Sequence, residues 1–287
     1  MGVEEKLEFG SLVLTLELLR PKEILPHEDT IPKLTTRLMQ KIEADGVQLD
    51  PILVDQSSKV ILDGMHRHEA LLKLGCRRIL ACGLNYSDDS VKIFRWVRCW
   101  QATSIFMQEL IEQLRLSKSR SRLHAIREVD GRRASFAILT NDSSYVSSLP
   151  HSNTLESYTP IRDFDRVAEA YDVHVQTFGQ DEALSKLGES YSGLLYPAPL
   201  EKRDVVQSGL NRKPFPAKST RHVIPVRPMG VGIPLETLRS GAATDAESQQ
   251  ILSKLLAKSY RVLEPGSRYR GRTYQDTLIV FAGLKND

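Results

Sequence analysis

The stretch V-I-L-D-G-M-H-R-H-E-A-L-L-K-L-G, Val60–Gly75, decides how the chain is read. Val60, Ile61 and Leu62 are an apolar run suited to a buried strand, and Asp63-Gly64 turns the chain. The remainder predicts a short helix that buries Ala70, Leu71 and Leu74 and stops at Gly75. His66, Arg67 and His68 fall in its first turn, where the helix dipole already supplies partial positive charge. Cations there cost stability unless an anion joins them. Free N–H groups, a preceding glycine and a neighbouring arginine and histidine are the components of a phosphate site. A second reading stays open, in which Asp63 caps the helix and the basic residues face water.

Working outward, Ser11–Leu19 predicts a first strand, broken by Arg20-Pro21. A polar loop, Ile24 to Asp29, presents Glu28 and Asp29 just before a helix with Thr30 as cap, Pro32 at its start and Leu34, Leu38 and Ile42 on its apolar face. Gly46 closes that helix. Pro51–Asp55 and Lys59–Leu62 read as a hairpin feeding the central turn, Ile79–Leu84 as a further strand, and Val91–Trp96 as another strand or the start of a helix. Together they predict one α+β domain over residues 1–100 and a second α+β lobe over 101–287.

In the second lobe, Ser104–Leu116 reads as an amphipathic helix with Ile105, Leu110, Ile111 and Leu114 buried. Lys118–Arg133 is basic without interleaved aromatics, which favours a solvated connector over a nucleic-acid face. Ala134–Thr140 and Tyr145–Ser147 predict a hairpin, and the serine-rich run Ser147–Thr159 a loop. Helices follow over Ile161–Val173, Glu182–Leu187 and Glu201–Ser208, the last stopped by Gly209. Pro214–Pro225 is a stiff, proline-fenced segment whose Lys218, Ser219, Thr220, Arg221 and His222 suit either a carboxylate or phosphate site or a polar edge strand. A helix over Thr244–Leu263 and a strand over Thr277–Ala282 complete the chain.

The 287 residues carry 39 basic and 36 acidic side chains, a formal charge of +3, so no dominant field advertises nucleic acid or a membrane. Cys76, Cys82 and Cys99 form no Cys-x-x-Cys pair, which argues against a disulfide framework or structural zinc and suits a reducing cytoplasm. The charged start lacks a secretory h-region; Gly2 follows Met1, but Lys6 stands where a myristoylation signal wants serine or threonine. No apolar stretch approaches the roughly 20 residues that span a bilayer.

The segment L-D-G-M-H-R-H-E-A resembles the ParB/sulfiredoxin superfamily, whose G-x-x-R-x-x-A pattern is matched by Gly64, Arg67 and Ala70. Met65 stands where sulfiredoxins carry their catalytic cysteine, and the region after Trp100 does not read as the helix-turn-helix of ParB proteins. The free serine kinases are the branch most similar to this chain. They share the Pro26-His27-Glu28 loop, the D-G-x-H-R turn, the Tyr86–Asp89 stretch with Val91 and Lys92, Trp96, and the late Thr220-Arg221-His222 segment. The resemblance covers about 10–100 and 195–240.

It implies a ParB/sulfiredoxin-like nucleotide-binding domain, a second mixed α/β lobe and an active-site cleft between them. The implied reaction transfers the terminal phosphoryl group of ATP or ADP to the hydroxyl of free L-serine, giving O-phospho-L-serine for amino-acid biosynthesis. The resemblance makes Glu28 the general base, with capping of the following helix as its alternative role. Asp63 reaches Mg²⁺, or else caps the next helix. Gly64, Met65, His66 and Arg67 hold the nucleotide phosphates. Thr220, Arg221 and His222 hold the amino acid, and Trp96 walls its pocket or joins the core. A homo-oligomer stays open, and the competing function is a ParB-like nucleotide-dependent DNA-binding or regulatory protein.

Overall fold

Continuous apolar runs build the first sheet of the computed structural model, which describes residues 5–9, 12–101, 104–147, 154–240 and 245–282. In chain order come β1 (Glu5–Phe9), β2 (Leu12–Leu19), α1 (Pro32–Asp45), β3 (Val47–Gln48), β4 (Ile52–Asp55), β5 (Ile61–Asp63), α2 (Met65–Lys73) and β6 (Ile79–Leu84). The sheet order is β1-β2-β6-β4-β5. β4 and β6 pair in parallel and are buried along their whole length, as a parallel centre covered on both faces requires. β5 is an edge strand, so Asp63 emerges at its end while Ile61 and Leu62 stay buried.

α1 ends at Gly46 in the left-handed conformation, as expected. Its first residue is Pro32 and its cap is Ile31, with no side-chain bond, so Thr30 does not cap it. Thr35 and Ile42 are its buried residues, while Leu34 is 42% exposed. Each four-residue step rotates about 40° around a helix, and two such steps carry Leu34 off the face that Ile42 buries.

The middle of the chain supplies β7 (Lys92–Trp100), α3 (Ser104–Gln113), β8 (Leu116–Lys118), α4 (Arg122–Asp130), β9 (Phe136–Thr140), β10 (Ser144–Ser147) and α5 (Thr154–Ala170). β11 (Val175–Gly179), α6 (Gln180–Lys186), β12 (Gly193–Pro197), α7 (Lys202–Leu210) and β13 (Thr220–Val223) follow. Their sheet runs β11-β7-β12-β9-β10-β8, with β13 also on β7. Its core sets Trp100, Phe106, Phe136, Tyr158, Phe164 and Phe215 among a larger number of aliphatic side chains. The basic stretch becomes edge strand β8 and helix α4, capped by Ser121, whose Oγ accepts the His124 N–H at 3.1 Å. α3 buries Phe106 and Leu110, whereas Ile105, expected inside, is 62% exposed. Gly209 lies within α7 instead of stopping it.

The tail adds β14 (Val226–Met229), β15 (Ile233–Pro234), α8 (Leu235–Ser240), α9 (Asp245–Leu256), β16 (Tyr260–Leu263), β17 (Arg268–Tyr269), β18 (Arg272–Thr273) and β19 (Thr277–Phe281). It corrects the expected division at residue 100. One compact unit is Met1–Lys92 with Gly209–Arg212 and His222–Asp287; the other is Ile93–Ser208 with Lys213–Arg221. The tail rejoins the first unit because β15 pairs with β3, covering backbone groups that the first 100 residues leave unpaired. The helix expected over Thr244–Leu263 ends at Leu256, and its last part is strand β16, paired with β19. Gly2, Ser11, residues 148–153 of the serine-rich loop and Thr244 lie outside the described residues. No helix among the described residues is long and apolar enough to cross a membrane.

Candidate active site

Gly64 makes the central turn sterically. Its φ is +103°, and a Cβ there would lie 2.8 Å from Ile52 Cγ2 and 3.0 Å from Arg67 Nη1. Gly64 is also the cap of α2, and its carbonyl accepts the His68 N–H at 2.9 Å, so the expected cap, Asp63, is one residue too early. Arg67 folds back from the first turn and donates Nη1 to the Pro51 carbonyl at 2.8 Å. Met65 and His68 point inward and are buried.

The loop carrying Glu28 is fastened beside this turn. Leu25 donates its N–H to the Lys59 carbonyl and accepts the Ile61 N–H, both at 3.0 Å. His27 donates Nδ1–H to the Ile61 carbonyl at 2.5 Å, and Ile31 donates its N–H to His66 Nε2 at 3.0 Å. The segment 25–31 therefore runs along β5 to the start of α2, with the mostly covered Glu28 in its middle. Glu28 Oε1 lies 3.8 Å from His27 Nε2. Burial holds the His27 pKa down at about 4 against the opposing carbonyl bond, so this ring is neutral near pH 7. His66, a candidate phosphate ligand, accepts the Ile31 N–H on its Nε2, which places its proton on Nδ1.

Asp63 stands half-exposed, with its carboxylate 2.7 Å from Arg227 Nη1. Arg227, itself only 13% exposed, is held on its other side by Asp276. Loss of solvent around Asp63 would raise its pKa, but Arg227, Arg67 and Arg272 outweigh that and hold it at about 2. Sequence reasoning missed Arg227, Asp276 and Arg272, because nothing in their local pattern ties them to a turn more than 160 positions earlier.

His222 packs edge-on against His27, with ring centroids 5.5 Å apart, and its Nε2 accepts the Tyr86 hydroxyl at 2.8 Å. Loss of solvation, with His27 alongside, pushes its pKa well below that of a free imidazole. It is neutral and already bonded, which suits bracing β5 more than charge-pairing with a carboxylate.

In the other unit, Arg221 lies over the half-buried Trp96, 5.6 Å from its ring centre, and over Phe94 at 5.9 Å. No described carboxylate pairs with Arg221, and Trp100 is the fully buried core tryptophan. The buried Thr220 opens β13. The segment before it is shaped by Arg98, which donates to the carbonyls of Ala217 at 2.7 Å and Lys218 at 3.3 Å and forks onto Asp165 at 2.7 and 2.9 Å. Trp96 N–H donates to the Ser219 carbonyl at 3.2 Å.

Among the described residues no cluster of three or more His, Cys, Asp or Glu is placed to hold a metal. Of the turn's own two residues Asp63 carries a carboxylate, a donor that suits a hard cation completed by phosphate oxygens and water.

No protein-family model matches the chain. It is 25% identical over 227 residues to the ATP-dependent L-serine kinase of Staphylothermus marinus, covering 76% of this chain and 88% of that protein. With the ADP-dependent L-serine kinase SerK of Thermococcus kodakarensis it shares 23% identity over 249 residues, 83% of this chain and all of the relative. A solved free serine kinase in complex with AMP superimposes with a TM-score of 0.69 at 20% identity, over 78% of this chain and 93% of that one. The fold is that of the free serine kinases. The free serine kinase fold is the α+β arrangement that the sequence resemblance implied.

Proposed function

We propose that the chain is a kinase that transfers the terminal phosphoryl group of ADP or ATP to the hydroxyl of free L-serine, giving O-phospho-L-serine. The observation that carries this reading is the docking of the Glu28 loop against β5 and α2, beside the Asp63-Gly64 turn. Relatives named L-serine kinase that match over three quarters or more of the chain support the substrate. Their names differ in the donor, so either nucleotide fits.

The work of each group follows from its surroundings. Phosphoryl transfer through a loose transition state needs positioning and charge neutralisation more than covalent chemistry. Glu28 takes the serine hydroxyl proton as that oxygen bonds to phosphorus, while the bond from phosphorus to the leaving nucleotide oxygen breaks. The α2 N–H groups around Gly64 and Met65 receive phosphate oxygens, and Arg67, which has no carboxylate partner among the described residues, adds a formal charge. His66 serves by holding the Glu28 loop at that helix start. Mg²⁺, held by Asp63 with phosphate oxygens, would neutralise charge on the transferring group. Arg221 supplies the fork for the serine carboxylate, over Trp96 as the apolar wall, with Thr220 beside it in β13. His222 braces the floor under β5. Free, buried Cys76, Cys82 and Cys99 suit a reducing compartment such as the cytoplasm.

The test is direct. Incubation with L-serine, Mg²⁺ and either ADP or ATP yields phosphoserine, read by ³¹P NMR. Absence of product with both donors, together with salt-sensitive DNA binding, would move the assignment to a ParB-like binding protein.

A further inference from the structure

Phe94 is 43% exposed on a strand that is buried from Val97 onward. Side chains alternate along β7, so Phe94 and Trp96 share one face while Arg95 turns to the other. The Arg221 guanidinium lies over both rings, 5.9 Å from the centre of Phe94 and 5.6 Å from that of Trp96. A ring attracts a guanidinium through its quadrupole and consumes none of the five N–H groups. The same unit shows the contrast. Arg98 spends its N–H groups on Asp165 and on the carbonyls of Ala217 and Lys218. Arg95 is likewise buried and bonded to Asp130, Gln180, the Tyr196 hydroxyl and the Pro197 carbonyl. Arg221 is held by aromatic rings, and no carboxylate among the described residues pairs with it.

A third wall completes the slot. Gly179 stands opposite Trp96 in the β11–β7 ladder. A Cβ there would lie 3.5 Å from Arg221 Nη1 and 3.7 Å from its Cζ, so a methyl would touch the guanidinium and a branched side chain would crowd it. The corner that carries Gly179 is fixed from the buried face of β7. Gln180, the next residue, accepts Arg95 Nε and Nη2 on its Oε1 at 3.1 and 3.0 Å. Arg95 is itself tied to the Pro197 carbonyl and to Asp130, each at 2.6 Å.

We propose that Phe94 is a positioning residue for the amino-acid substrate: with Trp96 it holds Arg221 by its face, so that the N–H edge meets the serine carboxylate already oriented. The inference rests on the serine reading given above and deepens it. A guanidinium fixed in this way loses less rotamer freedom when the carboxylate arrives, which strengthens binding without a new contact to the substrate. Gly179 keeps the slot open by having no side chain.

Steady-state phosphoserine formation by the full chain and its variants, with nucleotide Kd by calorimetry, tests it. Phe94→Leu keeps an apolar side chain and removes the ring, so the serine KM should rise about two- to fivefold, the size of one partly exposed cation–ring contact. Both kcat and nucleotide Kd should stay within about twofold. Phe94→Tyr, which keeps the ring, should restore the KM. In an Arg221→Gln background Phe94→Leu should add nothing, because the ring acts through the guanidinium. Gly179→Val leaves both rings in place and should raise the serine KM by crowding Arg221. An unchanged KM in Phe94→Leu, a nucleotide Kd that moves with it, or the same shift without Arg221 overturns the role of Phe94 while leaving the kinase reading intact. A wild-type chain that makes no phosphoserine from either donor overturns both.

Discussion

At the scale of single residues, the histidines show how burial decides a role that residue type leaves open. His27 and His66 both lie in motifs that suit charge, yet His27 is buried with its Nδ1–H on the Ile61 carbonyl, and His66 accepts the Ile31 N–H. With a folded pKa of about 4, His27 takes up its proton far later than in the unfolded chain. Its contribution to stability is therefore complete above about pH 6.5 and is lost as pH falls toward 4, reaching roughly 3 kcal/mol. His222 shifts in the same direction and steepens the decline. Urea midpoints should drop between pH 7.5 and 5, and drop less in His27→Gln, which keeps an amide donor for the Ile61 carbonyl. Glu28 tests the chemistry. Glu28→Gln preserves size and removes the base, so kcat should fall about 10²- to 10⁴-fold. Nucleotide Kd by calorimetry should stay within about twofold; near-normal turnover would end its assignment as base.

At the scale of elements, the β5–α2 corner is set by one backbone angle. Gly64→Ala places a methyl against Ile52, a fully buried β-branched side chain that cannot swing aside, at a φ of +103°. A cost of roughly 1–3 kcal/mol follows, read as a lower thermal midpoint. The sequence made this corner legible because an apolar run, an Asp-Gly turn and a terminal glycine are all local signals. The brace behind Thr220 was not legible. Arg98 sits in a strand that reads as ordinary, and its partners Asp165, Ala217 and Lys218 come from distant segments. Asp165→Asn should raise the serine KM severalfold with nucleotide Kd unchanged, because Ala217 and Lys218 lead directly into Thr220 and Arg221. A nucleotide Kd that moved with it would point to a general loss of structure instead.

At the scale of the whole molecule, the chain leaves its first unit after Lys92, rejoins it briefly over Gly209–Arg212 and stays in it from His222 onward. A fragment of residues 1–100 lacks β15, the partner of β3, and Arg227, the partner of Asp63. It should show no cooperative thermal unfolding by circular dichroism, whereas the full chain should; a sharp transition from the fragment would make the tail dispensable. What the sequence determined alone was local: the strand–turn–helix at Val60–Gly75, the glycine stops of α1 and α2, and the order of short motifs that marks the serine kinase resemblance. Only the tertiary structure decided that Arg227 pairs with Asp63 while Asp276 holds its other side, and that His66 ties a loop. Periodicity and turn chemistry act over a few residues and are written in neighbouring letters. Charge pairing across more than 160 positions depends on which strands lie side by side, and no local pattern records that.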